Sequence, residues 1–279
     1  MMISELELEE IVEMITARIG IIPRSSHRKG IRDYLERKLS SMNADFATYK
    51  RLLVSDSDIF SELVDESTVN ETYFFREERQ FRFVRDKLLP IWKANFGSVP
   101  IKIWSAACSF GEEAYSLALL AKDAGIRADI TASDINSRVL RHCESGVFLS
   151  KSIRSVDGCS FMNLLRPYTK EGGKIEFGSE IRSCIKTRKL NLAEIDSPFS
   201  DALLPHGQNI VFLRNVFIYF SQDLRARILR AISEKCMAPG GCLFVSMSEI
   251  AQLDATVMPD SFDKISDGSV FYFRKKGGA

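Results

Sequence analysis

The sequence is poor in the residues that build metal centres. Its three histidines stand far apart, and none of its six cysteines forms a C-x-x-C pair, so the spacing typical of zinc sites is absent. An even number of cysteines could form disulfides, but a chain of this length without a leader favours reduced thiols. No metal is therefore expected, and the cysteines are predicted to be structural.

Long hydrophobic runs are also missing. No stretch approaches the roughly 18 uninterrupted apolar residues that a membrane-spanning helix needs. The N-terminus, Met-Met-Ile-Ser-Glu-Leu-Glu, is acidic, whereas a secretory signal begins with basic residues and continues with apolar ones. Hydrophobic residues nevertheless make up 45% and charged residues 27% of the chain, which excludes a disordered or low-complexity protein. We expect a cytoplasmic protein that does not insert into membranes.

An excess of one charge sign is absent from the chain as a whole. With 38 basic and 37 acidic residues the net charge is +1, so no global field attracts nucleic acid or anionic lipid, and no nucleic-acid partner is expected. Residues 18–51 are an exception, because they hold nine Lys and Arg against three acidic residues, a surplus of +6. This surplus indicates either a solvated helix face or a surface that docks an acidic partner.

The first 68 residues have the pattern of a small helical domain. Ser4 and Glu7 form a capping box, and apolar residues then repeat at helical spacing as far as Gly20, which ends the first helix. Further helices are predicted after Pro23, from Asn43 or Asp45, and over residues 58–64. Residues 69–95 are predicted to be a linker and a connecting helix, helical from about residue 77.

From residue 96 to residue 279 strands alternate with helices, which predicts an α/β domain with a Rossmann-like parallel sheet. Strands are predicted at 101–104, 128–133, 209–213, 242–247 and 270–275, and helices at 112–124, 136–143 and 222–236. Residues 150–189 interrupt the alternation. There Gly172 and Gly173 lie between alternating segments, which predicts a hairpin and hence a small β-subdomain insertion.

The loop after the first predicted strand indicates the class of ligand. In open parallel sheets, ligands bind at the carboxyl ends of the strands. Residues 105–111 are mostly small but contain a single glycine, and Glu112 and Glu113 follow at the start of a helix. A dinucleotide site would need G-x-G-x-x-G and a helix N-terminus free of negative charge, so a nicotinamide dehydrogenase is disfavoured. A positively charged nucleoside without phosphate, such as S-adenosylmethionine, fits better.

Two further strand ends carry candidate site residues. Asp134 ends the second strand, where a carboxylate can accept hydrogen bonds from ribose hydroxyls or can cap the next helix, and the spacing leaves both interpretations open. After the strand at 209–213 come Arg214, Asn215 and Tyr219, where enzymes that methylate amino nitrogens often have a proline-containing turn. The donors in this turn suit an anionic or oxygen acceptor.

These motifs together resemble the CheR-type chemotaxis receptor methyltransferases. They are Asn70-Glu71-Thr72-Tyr73-Phe74-Phe75-Arg76, the segments 104–113 and 214–220, Asp134-Ile135, Asn191-Leu192 and Ser248-Glu249. Their order and spacing hold along nearly the whole chain. The family uses S-adenosylmethionine to form methyl esters on glutamates of the cytoplasmic helices of chemoreceptors, with S-adenosylhomocysteine as the other product. The resemblance implies a helical domain, a linker, and a cofactor-binding α/β domain with a small β-subdomain.

The resemblance also implies roles for individual residues. Carried over by motif, the cofactor contacts fall on Asn70, Thr72, Arg76, Glu113, Asp134, Asn191, Leu192, Leu213 and Arg214. Arg76 and Tyr219 fall beside the transferred methyl group, and we hypothesise that they fix the acceptor carboxylate or the adjoining cofactor edge. The expected partner is the cytoplasmic helical region of chemoreceptors, docked on the basic segment, and the chain is expected to be a monomer.

Two departures from the family pattern bear on activity, and a third should matter little. Phe110 stands where relatives usually have Thr or Ser, Ala114 replaces a common Pro, and Leu213 replaces a frequent Cys. None of them removes a charged contact. Two alternatives remain open at this point: a regulatory module that binds S-adenosylmethionine without turnover, and a methyltransferase for another acceptor. The site residues also have structural interpretations: core rings for Tyr73–Phe75 and Tyr219, a surface cation for Arg76, a first-turn helix acid for Glu113 and a turn for Asn191.

Overall fold

The computed structural model describes residues 2–154, 160–254 and 256–277. The helices, in chain order, are α1 Glu5–Ile19, α2 Ser25–Met42, α3 Phe46–Ser55, α4 Ser57–Ser67, α5 Glu78–Phe83, α6 Leu89–Phe96, α7 Glu112–Asp123, α8 Ser137–Ser145, α9 Met162–Leu165, α10 Ser179–Arg182 and α11 Gln222–Ala231. The strands are β1 Ile101–Ala106, β2 Ala128–Asp134, β3 Val147–Phe148, β4 Ile175–Glu176, β5 Ile185–Lys189, β6 Gln208–Leu213, β7 Met237–Phe244, β8 Phe262–Asp267 and β9 Val270–Lys275.

Helices α1 to α4 form the helical unit predicted for the N-terminal region. Both halves of the capping box are present, because the Ser4 side chain accepts from the Glu7 amide and the Glu7 side chain accepts from the Ser4 amide. Gly20, at φ 72°, ends α1. Asp45 caps α3, and α4 is longer at both ends than predicted.

The connecting helix predicted over residues 77–95 is present but contains a π-helical turn. Glu77, at φ 59°, precedes α5, the turn spans Val84–Leu88, and α6 follows it. Pro90 lies in the first turn of α6 and has no amide hydrogen to donate to the preceding turn, which explains why the regular pattern changes just before it.

The main sheet has the strand order β5-β2-β1-β6-β7-β9-β8, in which the first five strands are parallel and the last two pair antiparallel. The strand order reverses between β1 and β6, so a crevice for ligands is expected at their carboxyl ends. The sequence pattern missed β8. Phe262 is the only buried residue of this edge strand, so the strand has no apolar alternation to detect.

The predicted β insertion over residues 150–189 contains less β structure than expected. Around Gly172 and Gly173, both at positive φ, the hairpin is limited to a bridge between Thr169 and Ile175. Strand β4 pairs with β3, which precedes the predicted insertion, and β5 joins the edge of the main sheet. Short helices fill much of the rest, and residues 155–159 lie outside the described part. The domain boundaries 1–68, 69–95 and 96–279 stay predictions.

The helical unit packs directly on the α/β domain. One hydrophobic cluster includes buried residues of α1 to α4 together with buried residues of β6, α11 and β7. A Cβ on Gly20 would lie 2.2 Å from Leu224 Cδ2 of α11, so the chain approaches this helix too closely for any side chain. Asn136, which caps α8, donates to the Thr68 hydroxyl at 2.7 Å. The helical unit therefore helps to shape the face of the sheet where ligands are expected.

Two observations complete the description of the fold. No helix among the described residues is long and apolar enough to cross a membrane. The five cysteines in the described ranges are free thiols, namely Cys108, Cys143, Cys184, Cys236 and Cys242.

Candidate active site

A cavity lies at the carboxyl ends of β1, β2 and β6, where the strand order reverses. Its walls come from residues 68–72, 107–109, 190–192 and 214–216, together with Ile19, Ile21, Arg76, Glu113, Asp134, Ile135, Tyr219 and Phe220. Nine of the ten site residues predicted from the sequence line it. The tenth, Leu213, is fully buried in β6 beside Ala106 of β1 and does not line the cavity. Segments more than 190 residues apart in the sequence thus meet around one space.

The loop between β1 and α7 has a strained backbone. Ala107 and Ser109 have φ values of 59° and 52°, and Gly111 has a φ of 104°. A Cβ on Gly111 would lie 2.5 Å from the Cys143 sulfur, which accounts for the glycine. Left-handed conformations are unfavourable for alanine and serine, and such strain is concentrated at functional sites. The loop brings its backbone close to the cavity.

Asp134 lines the cavity and does not cap a helix. Its Oδ2 accepts from the Ser109 amide at 2.8 Å and its Oδ1 from the Asn136 amide at 3.0 Å, whereas α8 is capped by Asn136. The capping interpretation of Asp134 is therefore wrong. Burial raises the pKa of Asp134, and the hydrogen bonds from the two amides oppose that shift. Each oxygen keeps a lone pair with which it could accept a ligand hydroxyl.

Glu113 and Arg214 form a buried ion pair at the wall of the cavity. Glu113 Oε2 lies 2.7 Å from Arg214 Nε, and the two side chains are 11% and 3% exposed. Glu113 Oε1 also accepts from the Ser105 hydroxyl at 2.6 Å. Arg214 Nη1 donates to the Arg76 carbonyl at 2.6 Å and to Gln80 Oε1 at 3.1 Å. Arg214 thus joins β6 to the linker segment through Nε and Nη1, whereas its Nη2 has no hydrogen-bond partner among the described residues, so a role as donor to an acceptor stays a prediction.

Arg76 lies at the cavity wall without an acidic partner. Its Nη1 donates to the Glu71 carbonyl at 2.7 Å, and its guanidinium carbon lies 5.8 Å from the centre of the Tyr73 ring. The structure gives Arg76 no ion pair in the described ranges, so its other N–H groups are available for a ligand. Phe74 and Phe75 are buried in the core, as expected for two of the three rings.

Tyr219 lies between the α/β domain and α2. Its ring centre is 5.3 Å from that of His27 and 5.9 Å from the Arg24 guanidinium carbon, and both of these residues belong to the N-terminal region. Burial raises the pKa of Tyr219, while the positive charges of Arg24 and Arg76 lower it. Within residues 2–154, 160–254 and 256–277 the hydroxyl of Tyr219 has no hydrogen-bond partner.

The remaining predicted residues contact the cavity from two loops. Asn70 donates to the Thr68 hydroxyl at 3.1 Å, and Thr72 lies beside it on the lining. Asn191 accepts from the Ala193 amide at 3.1 Å, and it donates to the Arg18 carbonyl at 2.9 Å. Asn191 is therefore a turn residue that also ties α1 to the cavity. Leu192 contributes an apolar wall.

Two of the departures noted in the sequence lie away from the cavity. The Phe110 ring packs edge-on against His142, with ring centres 5.1 Å apart, and Phe110 does not line the cavity. Ala114 is fully buried in the first turn of α7. The hydroxyl that Phe110 lacks would therefore not have faced this cavity wall.

The cavity fits a nucleoside that offers hydroxyl and cationic groups. The Ser109 hydroxyl is buried with no partner among the described residues, an unsatisfied group beside Asp134. Glu112 faces Ser152 and does not line the cavity, so Glu113 is the helix acid that faces a ligand. The positive charge of Arg214 does not need a ligand phosphate to balance it, because Glu113 already does so.

Comparison with known proteins identifies the family. The sequence model described as "CheR methyltransferase, SAM binding domain" matches residues 70–265. The chain belongs to the CheR methyltransferase family. It is similar to the chemotaxis protein methyltransferase of Klebsiella aerogenes, with 32% identity over 88% of this chain and 84% of that protein. It is also similar to chemotaxis protein methyltransferase 1 of Vibrio cholerae, with 30% identity over 94% of each chain, and to the Escherichia coli protein, with 29% identity over 88% and 85%.

Family membership settles the type of enzyme and its cofactor. The chain is an S-adenosylmethionine-dependent methyltransferase of the chemotaxis system, with the Rossmann-like fold that the sequence predicted. Asp134, Glu113 and the unsatisfied Ser109 hydroxyl are suited to hold the nucleoside and amino-acid parts of this cofactor, by the donor and acceptor chemistry described above.

Sequence reasoning missed several parts of the cavity wall. Ser109 was predicted only as a small residue of the loop and Ile19 only as a helix residue, and no role was predicted for Ile21. The unsatisfied hydroxyl of Ser109 appears only when the loop is folded. Ile19 and Ile21 flank Gly20, and their position at the cavity depends on the close packing of α1 against α11.

Proposed function

We propose that this methyltransferase forms methyl esters on glutamate side chains of chemoreceptors. The observation that carries the proposal is the similarity, over more than nine tenths of the chain, to a protein named a chemotaxis protein methyltransferase, together with a cavity that groups nine of the ten expected residues. The proposed substrate is a glutamate on a cytoplasmic receptor helix, so we propose that the reaction takes place in the cytoplasm.

The proposed reaction needs little acid–base catalysis. A glutamate carboxylate, with an ordinary pKa near 4.3, is already ionised at pH 7. Bound S-adenosylmethionine supplies an electrophilic methyl group. The residues of the chain must therefore align the acceptor carboxylate and exclude water from it, which is the work of positioning.

Arg76 and Tyr219 are the residues we propose for that positioning. Both line the cavity, the Arg76 guanidinium has no carboxylate partner, and the Tyr219 hydroxyl has no hydrogen bond among the described residues. Their hydrogen bonds can orient the acceptor carboxylate or the edge of the cofactor. Methylation removes one negative charge from the receptor, which can shift a signalling equilibrium.

The docking role predicted for the basic segment must be narrowed. The N-terminal unit as a whole carries thirteen acidic and nine basic side chains, so it is not basic. Arg28 and Arg32 pair with acids of α1, and Lys38 pairs with Glu62 of α4. Two cations of α2, Lys29 and Arg37, have neither an ion pair nor a side-chain hydrogen bond in the described ranges. We propose that these two, rather than the whole segment, attract an acidic receptor surface.

The function is tested with S-adenosylmethionine that carries a radioactive methyl group and with membranes that contain chemoreceptors. The expected result is base-labile methyl groups on receptor glutamates. Binding of S-adenosylmethionine without any transfer would instead favour a regulatory module, and transfer to a different molecule would favour another acceptor.

The docking proposal has its own test. The double variant Lys29→Ala, Arg37→Ala is expected to slow receptor methylation at low salt, with an effect that fades near 0.15 M, where charges are screened beyond about 8 Å. The double variant Lys50→Ala, Arg51→Ala removes the same charge from α3 and serves as the matched control. Equal rates for both double variants would contradict docking by α2.

A further inference from the structure

Glu249 is a buried carboxylate that the proposed reaction does not use. It follows the end of β7 and has no exposed surface. Its Oε2 accepts from the Asn215 amide at 2.8 Å and from the Ser246 amide at 3.2 Å, and its Oε1 accepts from the Ile218 amide at 3.3 Å. In the part of the chain that the structure describes, Glu249 has no ion pair. Its hydrogen-bond partners among the described residues are backbone amides.

Two of the amides bound by Glu249, those of Asn215 and Ile218, belong to the turn that presents Tyr219. The chain leaves β6 at Leu213, takes a left-handed conformation at Asn215 with φ 58°, and forms a short helical turn over Phe217–Tyr219. Glu249 therefore contacts this turn at its strained start and at Ile218, the residue before Tyr219. A displacement of either amide would move the tyrosine ring.

The same C-terminal segment is tied to the linker next to Arg76. The Ser246 hydroxyl donates to Glu77 Oε1 at 2.6 Å and accepts from Asn215 Nδ2 at 3.0 Å. The Met247 amide donates to Glu77 Oε2 at 3.1 Å. Residues 246–249 are thus bonded both to the turn that carries Tyr219 and to the neighbour of Arg76.

We propose that Glu249 is a positioning residue for methyl transfer, which holds the turn over residues 214–219 so that Tyr219 faces the acceptor. The proposal rests on the role proposed above for Tyr219. A carboxylate suits this task because both of its oxygens accept and it needs no acceptor of its own. Glutamine would place an amide NH₂ group against backbone N–H groups and leave at least one of them unsatisfied in a buried site.

The primary variant is Glu249→Gln, assayed for turnover on chemoreceptor membranes and for affinity to S-adenosylmethionine. We expect turnover to fall about 10- to 50-fold, while cofactor affinity stays within about threefold, because Arg214 is held in the cavity wall by Glu113, Gln80 and the Arg76 carbonyl and not by Glu249. Glu249→Asp keeps the charge and is expected to recover part of the rate. Glu112→Gln removes another buried carboxylate of the same domain, bonded to Ser152, and is the control expected to leave turnover unchanged.

A double-mutant cycle with Tyr219→Phe separates positioning from general stability. If Glu249 acts through the Tyr219 hydroxyl, Glu249→Gln should lower turnover by less than about threefold in the Tyr219→Phe background. If Glu249→Gln still lowers turnover about 10- to 50-fold in the Tyr219→Phe background, the two residues act independently, and the Glu249 proposal alone is overturned. If Tyr219→Phe itself leaves turnover normal, the role proposed for Tyr219 fails and the Glu249 proposal fails with it. If Glu249→Gln melts below the assay temperature, Glu249→Asp is carried through the same cycle and judged by the same criterion.

Discussion

The ion pair between Glu113 and Arg214 offers a direct test of how the cofactor wall is built. The change Glu113→Gln keeps the shape of the side chain and removes its charge. Arg214 is 3% exposed, and its other donors go to the neutral Arg76 carbonyl and Gln80. The variant would therefore leave a buried positive charge without an acidic partner.

The size of the effect follows from the geometry. Two unit charges about 4 Å apart attract by about 4 kcal/mol at an effective dielectric constant of about 20. Removal of one partner from a buried pair typically costs about 3–5 kcal/mol of unfolding free energy. Because glutamine can still accept a hydrogen bond from Arg214 Nε, we expect a loss near the lower end, about 3 kcal/mol.

The assay is urea unfolding, followed by circular dichroism and by tryptophan fluorescence, to which Trp104, fully buried in β1, and Trp92 of α6 both contribute. Coincident transitions by the two probes are needed before a free energy is extracted. The double variant Glu113→Gln, Arg214→Gln removes both charges and is expected to recover part of the loss. A single variant within about 0.5 kcal/mol of the parent chain would refute the reasoning.

The same variants test how the wall responds to cofactor charge. S-adenosylmethionine carries a sulfonium charge that S-adenosylhomocysteine lacks. An unbalanced Arg214 should therefore weaken binding of S-adenosylmethionine about threefold or more beyond the loss for S-adenosylhomocysteine. Calorimetry with both ligands measures this ratio, and the double variant should return it toward the parent value. Equal losses for the two ligands would mean that Glu113 contributes only its shape and its capacity to accept hydrogen bonds.

Three further changes test other parts of the site. Asp134→Ala is expected to weaken S-adenosylmethionine binding by about 1–3 kcal/mol, because a charged acceptor is lost. Calorimetry measures the affinity beside that of Asp129→Ala, which removes an exposed carboxylate of the same strand, and equal affinities for the two variants would contradict the role of Asp134. Tyr219→Phe is expected to lower turnover about 10- to 100-fold, or about 1.4–2.7 kcal/mol of barrier, with unchanged cofactor affinity; normal turnover with a lower melting temperature would make the tyrosine a packing residue. Gly20→Ala is expected to lower the unfolding free energy by about 1–3 kcal/mol, because Gly20 has a φ of 72° and the new Cβ would lie 2.2 Å from a leucine methyl, whereas Gly30→Ala in open space should raise it by about 0.5–1 kcal/mol. Identical urea midpoints for the two variants would contradict both the backbone strain and the close contact assigned to Gly20.

Local signals in the sequence predicted local structure well. The capping box at Ser4 and Glu7 and the left-handed Gly20 each involve neighbours within a few residues, and both are present. The alternation of strands and helices likewise predicted the parallel part of the sheet. Strand β8 was missed because its contribution comes from pairing with β9 and not from buried side chains of its own.

Charges were harder to interpret, because their partners lie far away in the sequence. The surplus over residues 18–51 suggested a free basic surface, yet Arg28 meets Glu9 and Lys38 meets Glu62 across the helical unit. Arg214 was expected to present donors to an acceptor, and its Nε and Nη1 are bonded to Glu113, Gln80 and a backbone carbonyl, which leaves only Nη2 for that role. The type and motif of a residue predicted that it lies at the site, but they did not predict its hydrogen-bond partners.

The strained turns around the cavity explain why such a site cannot be read from one segment. Three residues with positive φ donate their amides to side-chain oxygens from other elements: Phe75 to Ser116, Ser109 to Asp134, and Asn215 to Glu249. The acceptors lie 41, 25 and 34 residues further along the chain. Each left-handed residue costs about 1–2 kcal/mol, and the hydrogen bond returns about 0.5–1.5 kcal/mol for the neutral Ser116 hydroxyl and about 1.5–3 kcal/mol for a charged carboxylate. The turns that carry the cofactor loop and Tyr219 are therefore stable only when the sheet has assembled and brought these acceptors to them.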